Sequence, residues 1–193
     1  MRIYDISQEI LSSKVYPGDP TPEKTQLLSI SEGAACNLSK ISMCLHNGTH
    51  IDAPCHFVEG AQSIDQMELE TFIGECRVVF IPEEIITGEM IDNLVPDDTY
   101  RLLIKTTVNG ALTQSAATAL LDKGVKLVGI DNQTVGIDGQ QAPVHLILLH
   151  NDIVILEGLN LSQVPEGDYI LSAFPLNVQG ADGAPCRAVL LQD

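Results

Sequence analysis

The chain has 193 residues, with 10 basic against 26 acidic side chains and a formal charge of −16. An apolar fraction of 45 % with only 19 % charged residues excludes a disordered chain and suits a buried core. The negative charge excludes a phosphate-backbone binder, and the absence of Trp with 4 % aromatics excludes a stacking platform for bases.

Met1 to Ile6 holds no apolar run that could act as a signal segment. Ser39 to His46 alternates, with Ile41, Met43 and Leu45 facing one way and Ser42, Cys44 and His46 the other. That pattern predicts a half-buried strand carrying His46 on its polar face. Short apolar runs predict buried strands at Arg77 to Ile81, Arg101 to Thr106, Lys126 to Ile130, Ile153 to Leu156, Tyr169 to Phe174 and Ala188 to Leu191. Thr113 to Lys123 reads as a helix ended by Gly124, and Pro143 to His150 as a second one opened by proline. Strands outnumber helices and alternate with them only in the middle, so the expected fold is a mixed α/β domain with a mixed sheet. No linker or repeat divides it, and one domain over residues 1–193 is expected. The longest apolar runs, such as Leu146 to Leu149, are too short to span a bilayer. Five scattered cysteines (Cys36, Cys44, Cys55, Cys76, Cys186) form no CxxC pair, which fits a reducing, cytoplasmic home.

The chemistry concentrates in His46-Asn47-Gly48-Thr49-His50-Ile51-Asp52-Ala53-Pro54-Cys55-His56. Three of the five histidines and an aspartate fall in this one stretch. Neutral imidazole and carboxylate are ligands for zinc, manganese or iron. On straight extended chain His46 and His50 would stand roughly 13 Å apart, too far to share an ion. The chain must therefore bend, and Asn47-Gly48 tolerates the backbone angles of a tight turn. Gly48 and Pro54 rule out one continuous helix. A strand followed by a tight loop is the expected shape. A lone histidine is more often a surface or satisfied core residue; a cluster on a bent segment reads as a metal site.

The other two histidines lie in Pro143-Val144-His145 through Glu157. A short helix would carry the chain roughly 7–8 Å from His145 to His150, a turn at Asn151-Asp152 would reverse it, and the strand would return Glu157 to the vicinity of His145. The alternative for Glu157 is a solvated strand end. His150 complements the helix dipole and receives no catalytic role. Serine catalysis is disfavoured by the lack of a GxSxG elbow. Cys55 and His56, adjacent on extended chain, would point apart.

The His46–His56 segment resembles the HxGTHxDxPxH signature of the cyclase family of metal-dependent hydrolases, which includes bacterial kynurenine formamidases and isatin hydrolases. Tyr16-Pro17-Gly18-Asp19-Pro20 is similar to the family's W-P-G-D segment, His145 through Glu157 to its H-x11-E segment, and Gly180-Ala181-Asp182-Gly183-Ala184-Pro185 with Arg187 to its GADG-x-P-x-R turn. The resemblance implies a swivelling β/β/α fold and two divalent ions, zinc or else manganese. It implies that His46, His50 and Asp52 hold one ion. Asp52 bridges to a second ion held by His145 and Glu157, and Glu157 touches both. It further implies His56 as the acid/base and Tyr16, in place of tryptophan, as a substrate contact. The implied partners are a small amide substrate and a second copy in a homodimer or larger assembly, with no nucleic acid and no membrane. The leading expectation is hydrolysis of an N-formyl arylamine such as N-formylkynurenine. The runner-up is a cyclic amide such as isatin. A metal- or small-molecule-binding protein without turnover is the rival from another class, and a closed, Cys-rich structural zinc site does not match this ligand set.

Overall fold

Residues 1–107 and 109–192 are described by the computed structural model. Thirteen strands and three helices follow one another along them. The strands are β1 (Arg2–Asp5), β2 (Glu23–Leu28), β3 (Leu38–Ser42), β4 (His50–Asp52), β5 (Ile73–Phe80), β6 (Ile85–Ile86) and β7 (Arg101–Lys105). They continue with β8 (Ala111–Leu112), β9 (Leu127–Ile130), β10 (Val154–Glu157), β11 (Gly167–Ser172), β12 (Gly183–Pro185) and β13 (Val189–Gln192). The helices are α1 (Gly88–Leu94), α2 (Gln114–Asp122) and α3 (Gln141–His150).

Nine strands form the main sheet in the order β1-β13-β11-β5-β7-β9-β10-β4-β12. Its centre, β5-β7-β9-β10, is parallel, and its flanks are antiparallel. Each parallel step needs a crossover, and α1, α2 and α3 supply the three in turn. The central strands are apolar on both faces because both are covered: β9 and β10 are buried along their whole length. Alternate residues feed two cores. Leu103, Leu127, Val154 and Leu156 enter one, with Ile51 and Tyr169. Leu102, Ile104, Val128 and Ile155 enter the other, beneath Leu120 of α2 and Leu148 of α3. This is the mixed α/β class that the sequence predicts.

The helix expected from Thr113 spans Gln114–Asp122, with the Thr113 hydroxyl accepting the Ala116 N–H at 3.2 Å as its N-cap. The helix expected at Pro143 begins two residues earlier, with Pro143 inside its first turn, where no backbone donor is lost. Two expectations require correction. The strand drawn through Ser39 to His46 stops at Ser42, pairs only with β2, and is exposed on both faces. Its alternation is real, but no layer covers it, and Ile41 stays half exposed. His46 therefore sits in a turn rather than on a strand face. The metal-type segment is also inverted relative to expectation. The tight turn comes first, with Gly48 in the left-handed region at φ +70°, and the strand, β4, follows it.

Leu148 is fully buried where α3 rests on the sheet. Leu148→Ala is expected to destabilise the fold by about 2–5 kcal/mol, read as a lower urea midpoint with an unchanged slope.

Candidate metal centre

Strand β4 lies between β10 and β12 and pairs with both. Its three residues alternate, so Ile51 enters one core while His50 and Asp52 project from the opposite face. In the antiparallel register Glu157 stands directly across from His50, which puts it on that same face. Helix α3 lies over this face and carries the buried His145 to it. The turn before β4 brings His46 back over the strand, with Nδ1 2.8 Å from Asp52 Oδ1. The turn is pinned by its neighbours: Asn47 Nδ2 donates to the Ile10 carbonyl at 2.9 Å, and Thr49 Oγ1 donates to the Gly158 carbonyl at 2.5 Å.

Backbone carbonyls orient the two innermost rings. His50 Nδ1 donates to the Gly48 carbonyl at 3.0 Å, and His145 Nδ1 donates to the Gln141 carbonyl at 2.9 Å. Both Nε2 atoms consequently face the carboxylates. His50 Nε2 is 3.4 Å from Asp52 Oδ1 and 3.4 Å from Glu157 Oε2. His145 Nε2 is 3.2 Å from Glu157 Oε1 and 3.6 Å from Asp52 Oδ2. Glu157 Oε1 also accepts the Val135 N–H at 2.7 Å.

These separations have the spacing of ligands around an ion: donors at 2.0–2.2 Å from one centre lie roughly 2.8–3.6 Å from one another. A second observation agrees. His50 Nε2 and Asp52 Oδ2 are buried polar atoms without a hydrogen-bond partner, a costly state for a protein interior. A divalent cation would satisfy both. His50, Asp52 and Glu157 form one potential ligand group, and His46, Asp52 and His56 form another.

Proton equilibria report the same surplus of negative charge. Burial alone would push His50 down, but Asp52 and Glu157 outweigh it and raise its pKa to about 10. Burial likewise opposes charge on His145, and Glu157 reverses it. Burial would raise Asp52, yet His46 and His50 hold it well below the usual carboxylate range. His56 differs: burial lowers its pKa and outweighs the pull of Asp52 and Asp182 in the other direction.

The cluster forms the floor of a cavity of about 390 Å³. His56 lines it from the short 3₁₀ turn Pro54–His56, with its ring stacked on His46 at 4.0 Å between centroids and 23° between planes. Tyr16 lines the same cavity, and its hydroxyl accepts a hydrogen bond from Gln141 Nε2 at 2.8 Å. All seven residues singled out from sequence (Tyr16, His46, His50, Asp52, His56, His145 and Glu157) thus meet at one place. His150 is exposed at the end of α3 and does not line it. Sequence reasoning missed Asp19, Cys44, Gln133, Thr134, Gln141 and Asp182 as cavity residues. The turn holding Asp182 stood out as a motif, but nothing in its spacing tied it to histidines more than a hundred positions away.

Comparison with known proteins gives this geometry a context. The Cyclase family model, described as "Putative cyclase", matches residues 4–137. The chain belongs to the cyclase family. A relative named kynurenine formamidase from Polaromonas naphthalenivorans is 34 % identical, over 98 % of this chain and 91 % of that protein. A solved structure described as a predicted metal-dependent hydrolase from Bacillus stearothermophilus is 32 % identical with a TM-score of 0.85, covering 98 % of this chain and 97 % of its own. Isatin hydrolase A from Labrenzia aggregata shares the fold, with a TM-score of 0.83 at 21 % identity, covering 100 % of this chain and 94 % of its own. Among the described residues no helix is long and apolar enough to cross a membrane.

Cation binding should be visible as proton release. With its folded pKa near 10, above the ordinary 6.5, His50 is protonated at neutral pH in the cation-free protein. The stability this contributes is complete below about pH 6.5 and is lost as pH rises through about 10. A cation needs the His50 Nε2 lone pair, so Zn²⁺ binding at pH 7 is expected to release about one proton or more per ion. Titration in weak buffer with an indicator dye checks this, and binding without proton release would remove His50 from the ligand set. Thermal scans of cation-free protein should show the melting temperature falling from pH 7 to pH 10.

Proposed function

We propose that the chain is a metal-dependent arylformamidase that hydrolyses an N-formyl arylamine, with N-formylkynurenine as the leading substrate. The observation that carries this reading is the buried His50–Asp52–Glu157 cluster with its two unpartnered polar atoms at the floor of a cavity. The relatives named kynurenine formamidase, matched along nearly the whole chain, select the substrate class.

In this reading His46, His50 and Asp52 hold one divalent ion, and Asp52, His145 and Glu157 hold a second. The two oxygens of each carboxylate support that division. Asp52 Oδ1 is nearest His46 and His50, whereas Oδ2 faces His145. Glu157 Oε2 faces His50, and Oε1 faces His145. Imidazole and carboxylate ligands suit zinc first and manganese second. When bound, such ions supply Lewis acidity toward a carbonyl oxygen and make water more acidic.

The chain's own residues account for the rest. Water adds to the formyl carbon, the carbon–nitrogen bond breaks, and the departing arylamine nitrogen must gain a proton. His56 is placed to move that proton, because it lines the cavity beside the cluster. Tyr16 offers a ring face to the aryl group, with its plane held through Gln141. The α3 residues Gln141 and His145 thereby tie substrate contact and ion binding to one rigid element.

The test is N-formyl-L-kynurenine hydrolysis by protein stripped of metal and reloaded with Zn²⁺ or Mn²⁺. Turnover is expected only after reloading. His56→Ala should lower kcat by about 10²–10⁴-fold while keeping bound metal. No turnover with either ion would overturn the formamidase reading and turn the test to isatin. Tyr16→Ala is expected to raise KM by about tenfold or more, with a smaller change in kcat, as for a residue that mainly binds substrate.

A further inference from the structure

Asp182 is the one carboxylate of the cavity that touches two histidines from outside the cluster. Its Oδ2 accepts from His46 Nε2 at 3.0 Å and lies 3.4 Å from His56 Nδ1. Those two rings are stacked at 4.0 Å. A single oxygen therefore caps the edges of both rings.

The backbone around Asp182 is built to hold it there. The Asp182 carbonyl accepts the Ala53 N–H at 2.9 Å, and the Ala181 carbonyl accepts the Ile64 N–H at 3.0 Å. Gly180 N–H donates to Asp65 Oδ1 at 2.9 Å. Gly183 pairs with Asp52 on β4, and a Cβ at position 183 would come within 2.6 Å of His46 Cε1 and 2.7 Å of the Ile51 carbonyl. Only glycine lets this strand lie so close to the His46 ring, and that approach brings the Asp182 carboxylate into reach.

Each contact sets which ring nitrogen faces Asp182 and which faces the other way. His46 Nε2 is turned to Asp182 and Nδ1 to Asp52 and the ion site, so a proton held on Nε2 by Asp182 would leave Nδ1 free for an ion. His56 Nδ1 faces the same carboxylate at 3.4 Å, which leaves Nε2 as the nitrogen open to substrate. The geometry points to Asp182 as a positioning residue that sets two stacked imidazoles at once, His46 as an ion ligand through Nδ1 and His56 as a proton-transfer group through Nε2. The His56 half of this assignment rests on the formamidase reading above; the His46 half does not.

The test compares wild type with Asp182→Asn and Asp182→Glu, all loaded with Zn²⁺. Long-range ¹H–¹⁵N spectra read the ring tautomers, competition with a chromophoric chelator reads Zn²⁺ affinity, and formamide hydrolysis gives kcat and KM. In wild type His56 should carry its proton on Nδ1. D182N should lose that preference and bind Zn²⁺ about 10–100-fold more weakly. Its kcat should fall by about a hundredfold, with KM within about threefold of wild type. D182E, which keeps the charge, should recover part of both losses. A residue that merely supported the loop would change neither tautomer nor the split between kcat and KM. Unchanged tautomers and Zn²⁺ affinity in D182N would overturn the proposal, and a change in only one of them would overturn the shared role. Tautomers and affinity are read without substrate. A wild type that binds Zn²⁺ and turns over no formamide therefore overturns the formamidase reading alone.

Discussion

Two carboxylates, Asp52 and Glu157, are buried on adjacent strands of one sheet face, and among the described residues no Lys or Arg lines the cavity above them. Like charges in a low-dielectric interior cannot both stay ionised without compensation. The local structure can be read as the means of that compensation. Three imidazole rings crowd around the pair, and a backbone N–H from Val135 reaches Glu157. Even so, one Asp52 oxygen and one His50 nitrogen remain unpaired. A structure that buries acidic groups and leaves polar atoms unmatched is organised around a positive charge from elsewhere.

That requirement explains why a strand of three residues is inserted between β10 and β12. Paired on both sides, β4 has no freedom to rotate, so His50 and Asp52 are aimed by the sheet rather than by their own rotamers. The Ile51 side chain, fully buried on the far face, locks the register, since a slip by one residue would turn the His50 and Asp52 side chains into the wrong core. Helix α3 and β10 form the opposing jaw, joined by a short turn at Asn151–Asp152, and their ends bring His145 and Glu157 together.

The ion-type residues were legible because both groups are local in sequence. His46 to Asp52 is one turn and one strand, and His145 to Glu157 is one helix, one turn and one strand, so residue spacing alone limits how far apart the side chains can lie. The parallel centre was legible for a related reason: strands buried on both faces read as unbroken apolar runs. The β3 expectation failed because alternation reports two chemically different faces, not whether anything covers them. Strand β4 escaped notice because three residues are too few to display a period, and its identity comes from partners 100 or more positions later. Asp182 is the extreme case. Its function is set by reach across the sheet edge, and no local pattern encodes that.

The charge balance within the site bears on why the outer wall is acidic too. Asp52 and Glu157 together cancel one divalent ion. In the two-ion reading a positive surplus remains at the cavity floor, where a formyl oxygen would gain most from it. Asp182, with its side chain about half exposed, and Asp19 line the same cavity. In that reading, negative charge on the cavity wall would disfavour free anions that compete for the ions. The overall charge of −16 is thus not uniform in its consequences. Over most of the surface it serves solubility, whereas in the cavity a few carboxylates at fixed distances decide where positive charge can reside.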